Sequence, residues 1–150
     1  MILASACLAG EKCRYDGLSQ PLALIVKLKE KGKVILVCPE VMGGLPVPRP
    51  PCEIIGGSGE DVINNQAKVI NKLGQDVTAQ LLDGAEKAKN LAQENKISLA
   101  ILKSKSAACG VGKIYDGTFQ QRLINGNGIL TALLKNQGIR VVSEVDFFSV

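Results

Sequence analysis

Histidine and tryptophan are absent from this chain, and aromatic side chains are scarce, with 2 tyrosines and 3 phenylalanines. Without an imidazole, a nucleophilic cysteine could be activated only by lysines or dipoles. The same absence disfavours a structural zinc site, because no two cysteines stand at the close spacing such sites use. No apolar stretch approaches the ~20 residues needed to cross a bilayer. The first residues read as a strand, with no basic segment leading into an apolar one, so a signal peptide is not expected. No arginine cluster or interleaved aromatics accompany the net charge of +4, so no stable nucleic-acid complex is indicated. No G-x-G-x-x-G follows the first strand, which leaves a dinucleotide site without support. The chain is expected to be cytoplasmic, where its 5 cysteines fit thiols or ligands better than disulfides.

What is present suits a small folded protein. The 150 residues are 46% hydrophobic and 21% charged, which matches one globular domain over 1–150 and not a disordered chain. The core should consist of Ile, Val, Leu and Ala, with Phe119, Phe147 and Phe148 as aromatic candidates. The 16 glycines imply many tight turns.

Apolar runs punctuate the chain at regular intervals. Ile2 to Ser5 reads as a strand, and residues 21–31 as an amphipathic helix stopped by Gly32. Residues 34–37 (VILV) are a continuous apolar run, as expected of a strand covered on both faces. The stretch VMGGLPVPRPPCEIIGG is too rich in proline and glycine for a long helix or central strand and reads as a structured loop. Val62-Ile63 and residues 68–70 could be short edge strands. Asp76 is expected to cap a helix running to about Asn95. A third buried strand follows over 97–102, then a helix over about 128–136 and a strand over 139–142. The alternation predicts an α/β fold, a three-layer Rossmann-like domain with a mostly parallel sheet and helices on both faces.

That topology gives three cysteines a common address. Cys7, Cys38 and Cys109 each lie just beyond an apolar run, and parallel strands would deliver all three to the carboxyl edge of the sheet, the usual ligand side. Cys52 reads as a packing residue. Cys13 is open between a supporting thiol, a fourth ligand and a packing role. Soft thiolates without histidine suit an iron–sulfur cluster better than zinc.

The segments SACLAGEKCRYDG, CPEVMGGLPVPRPPCEI, GQDVT, LKSKSAACG and GNGILTALLKNQGIRVVSE resemble, in order and over nearly the whole chain, the DUF523 family, whose members include iron–sulfur-dependent thiouracil desulfidases. The resemblance implies a 4Fe-4S cluster held by Cys7, Cys38 and Cys109, with one iron not ligated by protein and free to take the substrate's sulfur. Where the family carries SPSCG, this chain has Ser106-Ala107-Ala108-Cys109-Gly110. The proline and second serine are missing, and Ser104 and Ser106 remain as hydroxyls. The implied reaction is non-redox desulfuration of a small thiolated base or nucleoside. The open iron would polarise the thiocarbonyl sulfur, and a carboxylate would take a proton from the attacking water.

Glu40, two residues from Cys38, is the first candidate for that base; Glu53 is the rival, with Asp16 behind it. Ser104 or Ser106 could orient the ring or the water. Arg14 and Arg49 could bind substrate carbonyls or a phosphate, or brace the loops, for example through an Arg49–Glu53 pair. The two YDG triplets read as similar turns, and Gly43-Gly44 as a close backbone approach to the ligand. A sulfur carrier or cluster-binding module in sulfur metabolism or tRNA modification is the alternative function, and a homodimer is possible.

Overall fold

The computed structural model describes residues 1–147; Phe148, expected in the core, lies outside them. The chain opens with β1 (Ile2–Ser5), a short 3₁₀ turn (Ala6–Ala9), α1 (Ala23–Glu30), β2 (Val34–Val37) and α2 (Pro39–Met42). It continues through β3 (Cys52–Ile55), α3 (Gly59–Ile63), β4 (Lys68–Asn71), α4 (Thr78–Glu94) and β5 (Leu99–Leu102). It closes with β6 (Lys113–Tyr115), β7 (Leu123–Asn125), α5 (Ile129–Asn136) and β8 (Arg140–Ser143).

The central sheet is wholly parallel, in the order β2-β1-β5-β8. Alternate side chains of a strand face opposite ways, and both faces are covered. Ala4 and Ile101 pack with Leu8 and Ile25 on the α1 side. Leu3, Ala100 and Leu102 pack with Leu81, Ala85, Ala88, Leu130 and Leu134 of α4 and α5 on the other. The expected α/β architecture is therefore the observed one. From β1 the chain steps to β2 on one side, then crosses to β5 on the other, so the order reverses between β1 and β5. Open α/β sheets bind ligands at such a reversal, outside the carboxyl ends of the strands.

Some local expectations are corrected. Val62-Ile63 lies in α3 rather than an edge strand: Asp61 accepts the Ser58 amide at 2.8 Å and the Ser58 hydroxyl at 3.2 Å, which starts a helix there. The proline-rich loop ends in β3, which pairs antiparallel with β4. Asp76 accepts the Thr78 amide at 2.9 Å, but the residue in the capping position of α4 is Val77.

Two glycines seat the corner after β2. A Cβ on Gly84 of α4 would stand 1.7 Å from the Pro39 carbonyl oxygen, and one on Gly43 would stand 1.9 Å from that of Gln80. Gly43 thus makes its close approach to α4, not to a ligand. This contact of two bare backbones fixes where Cys38 and Glu40 sit.

Candidate active site

Beyond the carboxyl ends of β1, β2 and β5 lies a cavity of about 580 Å³. All five cysteines line it, together with Glu40, Ser104, Ser106 and Arg49. The loops that follow the strands bring the three strand-end thiols to one cavity from widely separated parts of the chain. Cys7 sits in the 3₁₀ turn after β1, Cys38 directly precedes α2, and Cys109 lies in the loop after β5. Cys7 and Cys109 are buried, while Cys13, Cys38 and Cys52 are partly exposed. Cys52, expected to be only a packing residue, reaches the cavity wall from β3.

Glu40 is the junction of the site. Its Oε2 accepts from the Cys38 thiol at 3.4 Å and lies 4.0 Å from the Arg49 guanidinium, and its Oε1 is 3.5 Å from the Ser106 hydroxyl. Ser106 also accepts the amides of Ala108 and Cys109, both at 3.1 Å, so one hydroxyl shapes the Cys109 turn and touches the carboxylate. Arg49, whose side chain is 7% exposed, donates to the Cys13 carbonyl at 2.9 Å, while its amide donates to the Tyr15 carbonyl at 2.8 Å. It ties the loop after β1 to the loop before β3. The expected pairing of Arg49 with Glu53 is replaced by pairing with Glu40.

Glu53 and Asp16 are otherwise engaged. The Glu53 Oε1 accepts the amides of Gly117 and Phe119 at 2.9 and 3.1 Å, which holds the loop after β6. Asp16 accepts the Leu18 amide and pairs with Arg14 at 3.4 Å, away from the cavity wall. The two YDG triplets do form matching turns, since Asp116 accepts the Thr118 amide as Asp16 accepts that of Leu18.

Two supporting residues escaped the sequence reading. Buried Glu144, just past β8, accepts the Ser104 amide through both oxygens at 3.0 and 3.1 Å and lies 3.9 Å from the Lys103 ammonium. Ser5 accepts the Lys103 amide at 2.9 Å. The loop carrying Ser104, Ser106 and Cys109 is thus fastened to both β1 and β8. Both lie at the ends of segments that carry the family resemblance, but only the fold brings them to the loop.

Four of the thiols are held neutral. The hydrogen bond with Cys13, then burial, then Glu40 push Cys38 far above its ordinary value. Burial and then Glu40 do the same to Cys109. For Cys13 the contact with Cys38 lowers the value, but Cys7 and burial outweigh it and push the thiol up to about 11. Burial and Glu40 push Cys52 up to about 12. A reactive cysteine needs the opposite surroundings, because the thiolate is the nucleophile. A cation among these thiols would invert the electrostatics and release their protons. Among the described residues no three side chains converge on a position for a single ion. Soft donors spread around a roomy cavity suit a polynuclear thiolate-bound cluster.

Residues 2–146 match the family model described as 2-thiouracil desulfurase. The chain is 48% identical to the uncharacterized protein YbbK of Bacillus subtilis (strain 168) over 144 residues, covering 96% of this chain and 95% of the relative. Its structure superposes with a TM-score of 0.86 on that of a [4Fe-4S]-dependent thiouracil desulfidase, TudS (DUF523), at 41% identity, covering 99% of this chain and 93% of that one. With the family model spanning nearly its full length, the chain belongs to the 2-thiouracil desulfurase family of enzymes.

Proposed function

We propose that the protein removes sulfur from a small thiolated pyrimidine, 2- or 4-thiouracil or a related nucleoside, exchanging C=S for C=O with water and releasing sulfide. Cys7, Cys38 and Cys109 would hold a 4Fe-4S cluster with one iron free of protein ligands. The observation that carries this reading is the meeting of three strand-end thiols with Glu40 and Ser106 on one cavity at the reversal of strand order. When bound, the cluster supplies Lewis acidity toward the thiocarbonyl sulfur.

The protein's own groups divide the remaining work. Glu40 takes a proton from the attacking water. Its carboxylate is held on one side by Ser106 and on the other by Arg49, so an oxygen stays aimed into the cavity. Deprotonation of Cys38 on loading removes the thiol's hydrogen bond to Glu40 and leaves that oxygen to accept from water. Ser104, clamped by Glu144, offers its hydroxyl to the ring or to the water. The alternative of a sulfur carrier needs a reactive thiolate to hold sulfur as a persulfide. The raised thiol values at Cys13, Cys38, Cys52 and Cys109 weigh against it.

Anaerobic purification or reconstitution, followed by visible absorption and iron and sulfide analysis, tests the cofactor; conversion of 2- and 4-thiouracil to uracil with sulfide release tests the reaction. Colourless protein holding stoichiometric zinc after reconstitution would sink the cluster reading. A cluster-bearing protein inert toward both thiouracils would sink the substrate reading.

A further inference from the structure

Aromatic side chains are rare in this chain and are spent on the cavity. Tyr15, Tyr115 and Phe119 all line it. Phe119 was expected in the core, yet it is only partly buried and lines the cavity. Its backbone is unusual as well. Phe119 and Gln121 both adopt φ 58°, and Lys105, also on the cavity, adopts 68°. Side chains other than glycine rarely enter this left-handed region, and bulky ones least of all. Residues held there against their preference cluster at functional sites.

The loop between β6 and β7 is built to hold this conformation. Asp116 donates its amide to the Arg122 carbonyl at 2.9 Å and closes the loop across its base. Buried Glu53 accepts the amides of Gly117 and Phe119 from within. Gly117, at φ 92°, lies against Ile54, where an added Cβ would come 2.8 Å from the carbonyl oxygen. The loop therefore presents one flat apolar face (Phe119) and one amide (Gln121) in a preset arrangement, with little ordering left to be done on binding.

We propose that this loop is the ring-recognition wall of the site. Phe119 stacks on the planar heterocycle, Gln121 pairs with its N–H and C=O edge, and Glu53 is the positioning residue that holds both. The ligand class is a six-membered heterocycle with adjacent imide-like donors and acceptors, as opposed to an acyclic thiocarbonyl compound. The proposal rests on the desulfidase reading. A carboxamide matches such an edge because it offers donor and acceptor side by side. Stacking on an aromatic face is strong enough to set affinity without touching the reacting atoms.

The test measures uracil, which binds without reacting, on cluster-loaded and metal-free protein by calorimetry, and the turnover of 2-thiouracil against thiourea on loaded protein. Phe119→Ala should weaken uracil binding and raise KM roughly tenfold, with kcat and iron content unchanged. Phe119→Tyr should restore affinity where Phe119→Leu does not. Glu53→Gln should move uracil affinity in the same direction as Phe119→Ala, also without loss of iron. Preference for thiouracil over thiourea should narrow in Phe119→Ala and in Gln121→Ala. If wild type converts thiouracil and Phe119→Ala matches it in affinity and selectivity, the wall is refuted while the desulfidase reading stands. Loss of iron in Phe119→Ala would also refute it, by making the residue part of the cluster's support. If wild type neither binds uracil nor converts thiouracil, both readings fall together.

Discussion

Gly84 is the position at which helix propensity and packing make opposite demands. It lies inside α4, where alanine gains about 1 kcal/mol over glycine. A methyl there would meet the Pro39 carbonyl oxygen at 1.7 Å and its carbon at 2.6 Å, against a floor of 3.0 Å for real contacts. The obstacle is backbone and cannot rotate away, so α2 and α4 must part by more than about 1 Å. Overpacking of this kind costs about 1–3 kcal/mol, and more where rigid elements oppose. The rigid backbone contact puts the cost at about 2–3 kcal/mol, the upper part of that range. Net of the helix gain, we expect Gly84→Ala to lose about 1–2 kcal/mol, a fall in Tm of about 2–8 °C for a domain of this size. The displaced corner carries Cys38 and Glu40, so iron retained after anaerobic reconstitution should fall with it. Urea and thermal unfolding of metal-free protein give the first number, and iron analysis gives the second. A variant stabilised by about 1 kcal/mol with full iron would refute the account of how this corner is held.

Other substitutions divide the site by role. Serine at Cys7, Cys38 or Cys109 should abolish or sharply reduce iron after reconstitution, whereas Cys52→Ala should leave it nearly whole; iron lost from Cys52→Ala would overturn the ligand assignment. Glu40→Gln should lower kcat by about 10²–10⁴ with iron retained, as expected on loss of a general base; a purely structural role would cost stability at unchanged kcat. Glu144→Gln removes the charge from the Ser104 clamp and should cost about 1–3 kcal/mol in urea unfolding, with kcat reduced more than KM is raised. Burial holds the Cys52 thiol protonated up to about 12, against 9.0 ordinarily. Between those values the unfolded chain has lost the proton that the folded chain keeps, so this contribution is whole below about pH 9 and declines as pH rises, by up to about 1.4 kcal/mol per unit. Metal-free Cys52→Ala should therefore show a shallower alkaline loss of stability than wild type; parallel slopes would refute the assignment.

Much of the frame was legible from pattern alone. Continuous apolar runs such as 34–37, set off by glycine and proline, read as strands, and their alternation with helical segments fits a parallel sheet. The strand-end cysteines followed directly from that topology. The misread parts turn on contacts remote in sequence. Val62-Ile63 has the composition of a strand, and Ser58 with Asp61 overrides it. β6 and β7 are 3 residues each, too short for a periodic signal. Glu40 ranks ahead of Glu53 on paper only because Cys38 lies two residues before it, while Glu53 directly follows Cys52. They diverge in space, where Glu53 meets the amides of Gly117 and Phe119 and Glu40 faces Ser106 and Cys38. The reach of Glu144 back to Ser104 depends on β8 lying beside β5, which no local motif encodes.

The placement of thiols on three separate strand ends has a mechanical consequence. A group bound jointly by Cys7, Cys38 and Cys109 would staple three points of the chain and close two long loops of backbone. Such closure removes disorder from the unfolded chain, as cross-links do, and the gain grows slowly with loop length. Loss of the group would return that entropy and loosen the sheet first at its carboxyl edge. The opposite edge, where Ile2 aligns with Val34 and Leu99 with Arg140, would keep its pairing. A protein stripped of metal should therefore open from one end, and amide exchange should rise in the loops after β1, β2 and β5 before it rises in the strands themselves.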